Sequence, residues 1–150
     1  AASHAAIGAY EIIDAIAADG PRPAPISVYR ALDFLVAQGL VDGERVGMGG
    51  WSYGGYMAAM CLARAPETFK VAVSGAPVTH WDGYDTHYTE RYLGSPASNR
   101  AGYIRSAPFA WLDGLSSPLL LVHGMADDNV LFTNSTRLMA ELQERGVAFG

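Results

Sequence analysis

The chain has 150 residues, half of them hydrophobic and 17% charged, with a formal net charge of −5. That length suits one domain at most, and the apolar content excludes a disordered chain. An acidic balance without a basic stretch offers no phosphate footprint and argues against nucleic acid as a partner.

Residues 1–20 are Ala-rich, but Glu11, Asp14 and Asp19 interrupt them and no basic leader precedes them. They read as neither a signal peptide nor a membrane span, and no later stretch reads as a span. Ile7, Tyr10, Ile13 and Ile16 stand at near-helical spacing within residues 5–18. The stretch GPRPAP then breaks the chain. Ser27 suits the N-cap of a helix over Val28–Gln38, with Tyr29, Leu32, Leu35 and Val36 on its apolar face and Gly39 as its stop. Arg45–Trp51 is a short apolar run, and Tyr53–Arg64 is a helix with Pro66 just beyond it. Residues 70–74 (KVAVS) alternate like a short strand. Residues 77–110 are rich in aromatics and read as irregular. PLLLVH at 118–123 reads as the best buried strand, Thr133–Arg145 as a helix stopped by Gly146, and Val147 as the start of a fourth strand.

From residue 28 the order is helix, strand, helix, strand, excursion, strand, helix. Alternation of this kind implies an α/β fold, a mostly parallel sheet with helices on both faces. Catalytic residues in such sheets sit at the carboxyl ends of the strands. The single cysteine, Cys61, excludes an internal disulfide and lies mid-helix among apolar residues, which reads as inert core. One thiol leaves the compartment open, whether cytoplasmic, periplasmic or secreted.

Two segments fall at strand ends. Gly50-Trp51-Ser52-Tyr53-Gly54 matches G-x-S-x-G, in which a serine is held exposed on a tight strand-to-helix turn. The bare pattern arises by chance in roughly one chain in twenty of this length. Here it follows an apolar run and precedes a helix, as the motif requires. The N–H of Tyr53 then lies at a helix N-terminus, where it can stabilise a developing oxyanion. The second segment, HGMADDNV at 123–130, follows the strongest strand. An aspartate there fits the Ser…Asp…His order of a hydrolase triad, although an aspartate pair alone also suits an ordinary turn.

Taken together, GWSYGGYM at 50–57, APVTHWDGYDTHYTERYLG at 76–94 and HGMADDNV at 123–130 resemble, in order, segments of the dipeptidyl peptidase IV-like branch of the prolyl oligopeptidase family. The resemblance covers residues 27–150 and leaves 1–26 unassigned. It implies part of an α/β-hydrolase domain, joined in this family to a β-propeller. It also implies a serine peptidase that removes N-terminal dipeptides with proline or alanine second, through an acyl-enzyme on Ser52 and without cofactor or metal. Ser52 matches the nucleophile, Asp127 the triad acid and Tyr53 one oxyanion donor. Val78, Trp81, Tyr84, Tyr88 and Val130 match the wall of the proline pocket, and Asn129 a polar contact to substrate. Trp81, Tyr84 and Tyr88 also suit one helical stripe in a core, which periodicity alone does not separate from a pocket. The implied partner is a peptide substrate, and a homodimer of the whole protein is left open.

The chain departs from the family in three ways. Residues 1–26 do not look like it. Gly49 replaces a bulky residue before the elbow, which should loosen packing there. No histidine stands in position to be the base: His4 lies in the unassigned stretch, His80 and His87 in the aromatic segment at no recognisable ligand spacing, and His123 is placed to bond locally. The chain alone is therefore expected to be inert and poorly stable. Asn134-Ser135-Thr136 matches a glycosylation acceptor, but Asn134 opens a helix. Other acyl hydrolases on the same fold, such as an oligopeptidase, acylaminoacyl peptidase or esterase, share the elbow, and a non-catalytic binding module is the alternative of a different class.

Overall fold

The structure, a computed structural model, describes residues 32–150; the helix expected over 5–18 and the Ser27 cap lie outside them. The chain divides into two compact units, Ala1–Gly43 and Glu44–Gly150. In the first, residues 32–37 are helical. Gly39, at φ 69, ends that helix. Its N–H donates to Val36 O and the Leu40 N–H to Leu35 O, each at 2.9 Å, a pair of bonds that satisfies the last carbonyls of a helix.

The second unit is built on three parallel strands, β1 (Gly47–Trp51), β2 (Val71–Gly75) and β3 (Leu119–Val122), lying in the order β1-β2-β3. Trp51 pairs with Gly75, and Gly75 with Val122, so the three carboxyl ends lie level. Phe149 adds a parallel bridge to Leu119, in the region where a fourth strand was expected.

Helix α1 (Tyr53–Arg64) covers one face of the sheet, and Ala58, Ala59, Leu62 and Ala63 are buried in it. Alanines keep that contact close, and Gly55 makes it closer: a Cβ there would lie 2.2 Å from Gly75 O. Ala72, Ser74 and Leu119 point to this face and are buried. On the opposite face Val71, Val73, Leu120 and Val122 remain 42–44% exposed. Strand residues alternate between faces, so the exposed set belongs to one surface.

Residues 77–110 are more regular than their composition suggests. A 3-10 turn at Trp81–Gly83 leads into α2 (Thr86–Leu93) and α3 (Arg100–Ser106), and a further 3-10 stretch spans Pro108–Gly114. Both helices start on side-chain caps: Asp85 accepts from the N–H groups of His87 and Tyr88, and Asn99 from that of Gly102. Helix α4 (Thr133–Glu144) closes the described chain, with Leu138 and Leu142 fully buried.

Candidate active site

Ser52 sits between β1 and α1 at φ 56, ψ −116, a conformation that a side chain other than glycine rarely adopts. Its N–H donates to Gly75 O at 2.8 Å and its carbonyl accepts from Tyr56 N at 3.0 Å, so β2 and the first helical turn both fix it. Gly50 permits the turn, because a Cβ there would lie 2.5 Å from the Gly54 backbone. Ser74, fully buried on β2, donates its hydroxyl to Gly55 O at 2.7 Å and ties strand to helix beneath the serine. Tyr53 is the first residue of α1, where backbone N–H groups lack helical partners and face outward along the axis.

A cleft of about 190 Å³ opens at this point, lined by Ser52, Tyr53, Val78, Trp81, Tyr84 and Tyr88. The wall is one set of touching rings. Trp81 meets Tyr53 at 6.0 Å, Tyr84 at 5.9 Å edge-on and Tyr88 at 6.2 Å stacked. Trp81, Tyr84 and Tyr88 do not form one helical stripe: Trp81 lies in the 3-10 turn, Tyr84 is extended and Tyr88 is in α2. The bend brings the three rings onto one cleft. Tyr56 packs edge-on against Trp81 at 5.1 Å from behind. Burial raises the pKa of its phenol, and the Trp81 hydrogen bond partly opposes the shift.

Val130, expected on the pocket wall, is 1% exposed and packs in a core cluster with Val78, Trp81, Tyr56, Met60 and Tyr103, of which Val78 and Trp81 also line the cleft. Asn129 is exposed, and its Oδ1 accepts from the Tyr84 hydroxyl at 3.2 Å. That bond joins the aromatic wall to the loop of Asp127. Asp127 Oδ1 accepts from the N–H groups of Asn129 and Val130, both at 3.0 Å, which shapes the turn after β3.

None of the described histidines lines the cleft of Ser52. His123, its side chain 2% exposed, has Nε2 at 2.8 Å from Val130 O, Nδ1 at 2.7 Å from Ser135 Oγ, and Nε2 at 3.5 Å from Asp127 Oδ2. A carbonyl only accepts, so Nε2 donates to Val130 O, while Nδ1 and the Ser135 hydroxyl share a hydrogen bond. This imidazole braces the acid loop and is fully occupied. His80 lines a separate cleft of about 290 Å³ with Asp82, Arg100 and Tyr103. Burial and the nearby Arg137 lower its pKa, and Asp82 opposes them. His87 is exposed on α2. Among the described residues no three of His, Cys, Asp or Glu are grouped to hold a metal ion. Burial pushes the half-buried Cys61 thiol's pKa up, against the nearby Arg64, and so disfavours the thiolate. No described helix is long and apolar enough to cross a membrane.

Sequence reasoning passed over Ser74 and Thr79 and read Asn134 only as a glycosylation match at a helix start. Thr79 and Asn134 are bonded across 55 positions, and no local pattern signals a pairing of that separation. Asn134 is 1% exposed and its Nδ2 donates to Leu131 O at 3.0 Å, which removes it as a glycosylation acceptor in the folded chain.

Residues 27–150 match the prolyl oligopeptidase family. The chain is 43% identical over 119 residues to mouse dipeptidyl peptidase 8, taking in 77% of this chain and 13% of that protein. It is 49% identical over 113 residues to dipeptidyl peptidase family member 1 of Caenorhabditis elegans, 73% of this chain and 14% of that one. The crystal structure of Porphyromonas gingivalis dipeptidyl peptidase 4 superposes with a TM-score of 0.70 at 41% identity, covering 73% of this chain and 16% of that one. The parallel sheet and its helices are thus part of an α/β-hydrolase fold.

Proposed function

This chain belongs to the prolyl oligopeptidase family, and we propose that it is the part of a serine dipeptidyl peptidase that carries the nucleophile, the acid and the proline pocket. In this reading the full-length protein removes N-terminal dipeptides with proline or alanine in second place. Ser52 attacks the scissile carbonyl, the Tyr53 N–H helps hold the oxyanion, and Asp127 orients and charge-stabilises an imidazole supplied by the rest of the protein. The observation that carries it is Ser52 held in a strained turn at the mouth of an aromatic cleft. Proline is a compact ring without an N–H, and flat aromatic faces give such a ring contact area at little entropic cost.

The test is hydrolysis of Gly-Pro and Gly-Leu chromogenic amides, beside a simple ester, by the full-length protein. Gly-Pro amide should be the preferred substrate. Trp81→Ala or Tyr84→Ala should cost that substrate about 1–3 kcal/mol of transition-state binding relative to Gly-Leu. Cleavage of the ester without the Gly-Pro amide makes the protein another acyl hydrolase. A ratio unchanged in both variants makes the two rings core and not pocket.

A further inference from the structure

We infer that Asn134 is a positioning residue for this site: it locks the aromatic wall in register with the acid loop and so sets the selectivity for a proline ring. The inference rests on the peptidase reading above. The sheet ends at Gly75 and Val122, so no strand ladder joins the aromatic excursion to the loop after β3 beyond those ends. The excursion reaches the cleft at Val78 and Trp81, with Thr79 and His80 between them. The acid loop runs from Asp127 to Val130 and enters α4 through Leu131 and Phe132. Asn134 bonds to both. Its Oδ1 accepts from Thr79 N at 2.9 Å and from His80 N at 3.4 Å, and its Nδ2 donates to Leu131 O. Its own carbonyl accepts from Thr79 Oγ1 at 2.8 Å.

Thr79 is fully buried and Asn134 is 1% exposed, so water does not replace these bonds when one partner is lost. The remaining ties between the two elements are weaker in kind. Tyr84 to Asn129 is an exposed bond, and Val130 against Val78 and Trp81 is apolar packing that tolerates sliding. Asn134 therefore fixes the register. Reacting groups misplaced by about 1 Å lose rate by orders of magnitude, and a compact ring that fills its pocket suffers more from a displaced wall than a flexible side chain does.

The experiment measures kcat and KM separately for Gly-Pro and Gly-Leu amides in the full-length protein, with Tm for each variant. Asn134→Ala should lower the proline-over-leucine ratio of kcat/KM about tenfold. Asn134→Asp keeps an acceptor for the Thr79 N–H but loses the donor to Leu131 O and buries a carboxylate, so it should recover part of that ratio at a lower Tm. Asn99→Ala is the control for plain structural loss, because Asn99 makes a comparable pair of bonds, to Leu93 O and from Gly102 N, within the excursion alone. It should lower Tm and leave the ratio in place. Should Asn134→Ala not fold, Thr79→Val removes the hydroxyl contacts to Asn134 and His80 but keeps the Thr79 N–H bond, and should shift the ratio the same way by less. A ratio unchanged in every Asn134 and Thr79 variant that folds, or changed equally by Asn99→Ala, overturns the inference. Wild-type protein that cleaves neither amide contradicts the peptidase reading itself, which is a distinguishable result.

Discussion

Asp127 and Asp128 are adjacent and chemically identical, yet their surroundings differ. Asp127 has a side chain 22% exposed, bonded through Oδ1 to two backbone N–H groups and lying close to the His123 imidazole. Asp128 is exposed. A carboxylate that must hold an imidazole needs a fixed direction, and only the first of the pair has one. Asp127→Asn should lower kcat by about 10⁴-fold in the full-length protein, while Asp128→Asn stays near wild type. Equal losses in steady-state assays of the two variants would assign the acid wrongly. The elbow turn at Ser52 was legible from motif spacing, whereas the aspartate pair alone also suited an ordinary turn and was read as more only beside the family resemblance. The local bonding of His123 was also legible, from its four-residue distance to Asp127. The burial of Val130 was not, because a loop residue shows no periodicity from which burial is read.

At the scale of elements, the elbow depends on close backbone approach. A Cβ at Gly55 would lie 2.2 Å from Gly75 O, against backbone that cannot rotate away. At Gly49 the nearest atoms to a Cβ are Val73 Cβ and O, both at 4.0 Å. Gly55→Ala should therefore destabilise the protein by at least about 3 kcal/mol, and Gly49→Val should be tolerated on a strand that favours β-branched residues. Urea unfolding of the full-length variants checks both, and similar midpoints would contradict the packing described.

The strands and α1 were readable because apolar runs and helix formers there are bounded by glycine and proline. Residues 77–110 were not, because their helices are of eight and seven residues and bury little. Short helices owe their start to caps more than to periodicity. Asp85 and Asn99 were the available signals.

Within the unit Glu44–Gly150, the exposed sheet face is the dominant feature. Trp51, Val71, Val73, Leu120 and Val122 lie on it, 42–60% exposed. An apolar face of this kind is stable only when covered. The isolated 150-residue chain should bind a hydrophobic dye and unfold by heat without a cooperative transition. A sharp calorimetric transition would show that the face needs no cover. None of the described histidines lines the cleft of Ser52, and a serine hydroxyl needs a base to take its proton.

A fluorophosphonate probe tests the central claim most directly, since it forms a covalent bond only with an activated serine. Mass mapping of the full-length protein after labelling should find the adduct on Ser52. Ser52→Ala should abolish the label and lower kcat for Gly-Pro amide by about 10⁶-fold. The isolated chain should stay unlabelled. An adduct on another residue, or substantial amide hydrolysis surviving in Ser52→Ala, would contradict the account.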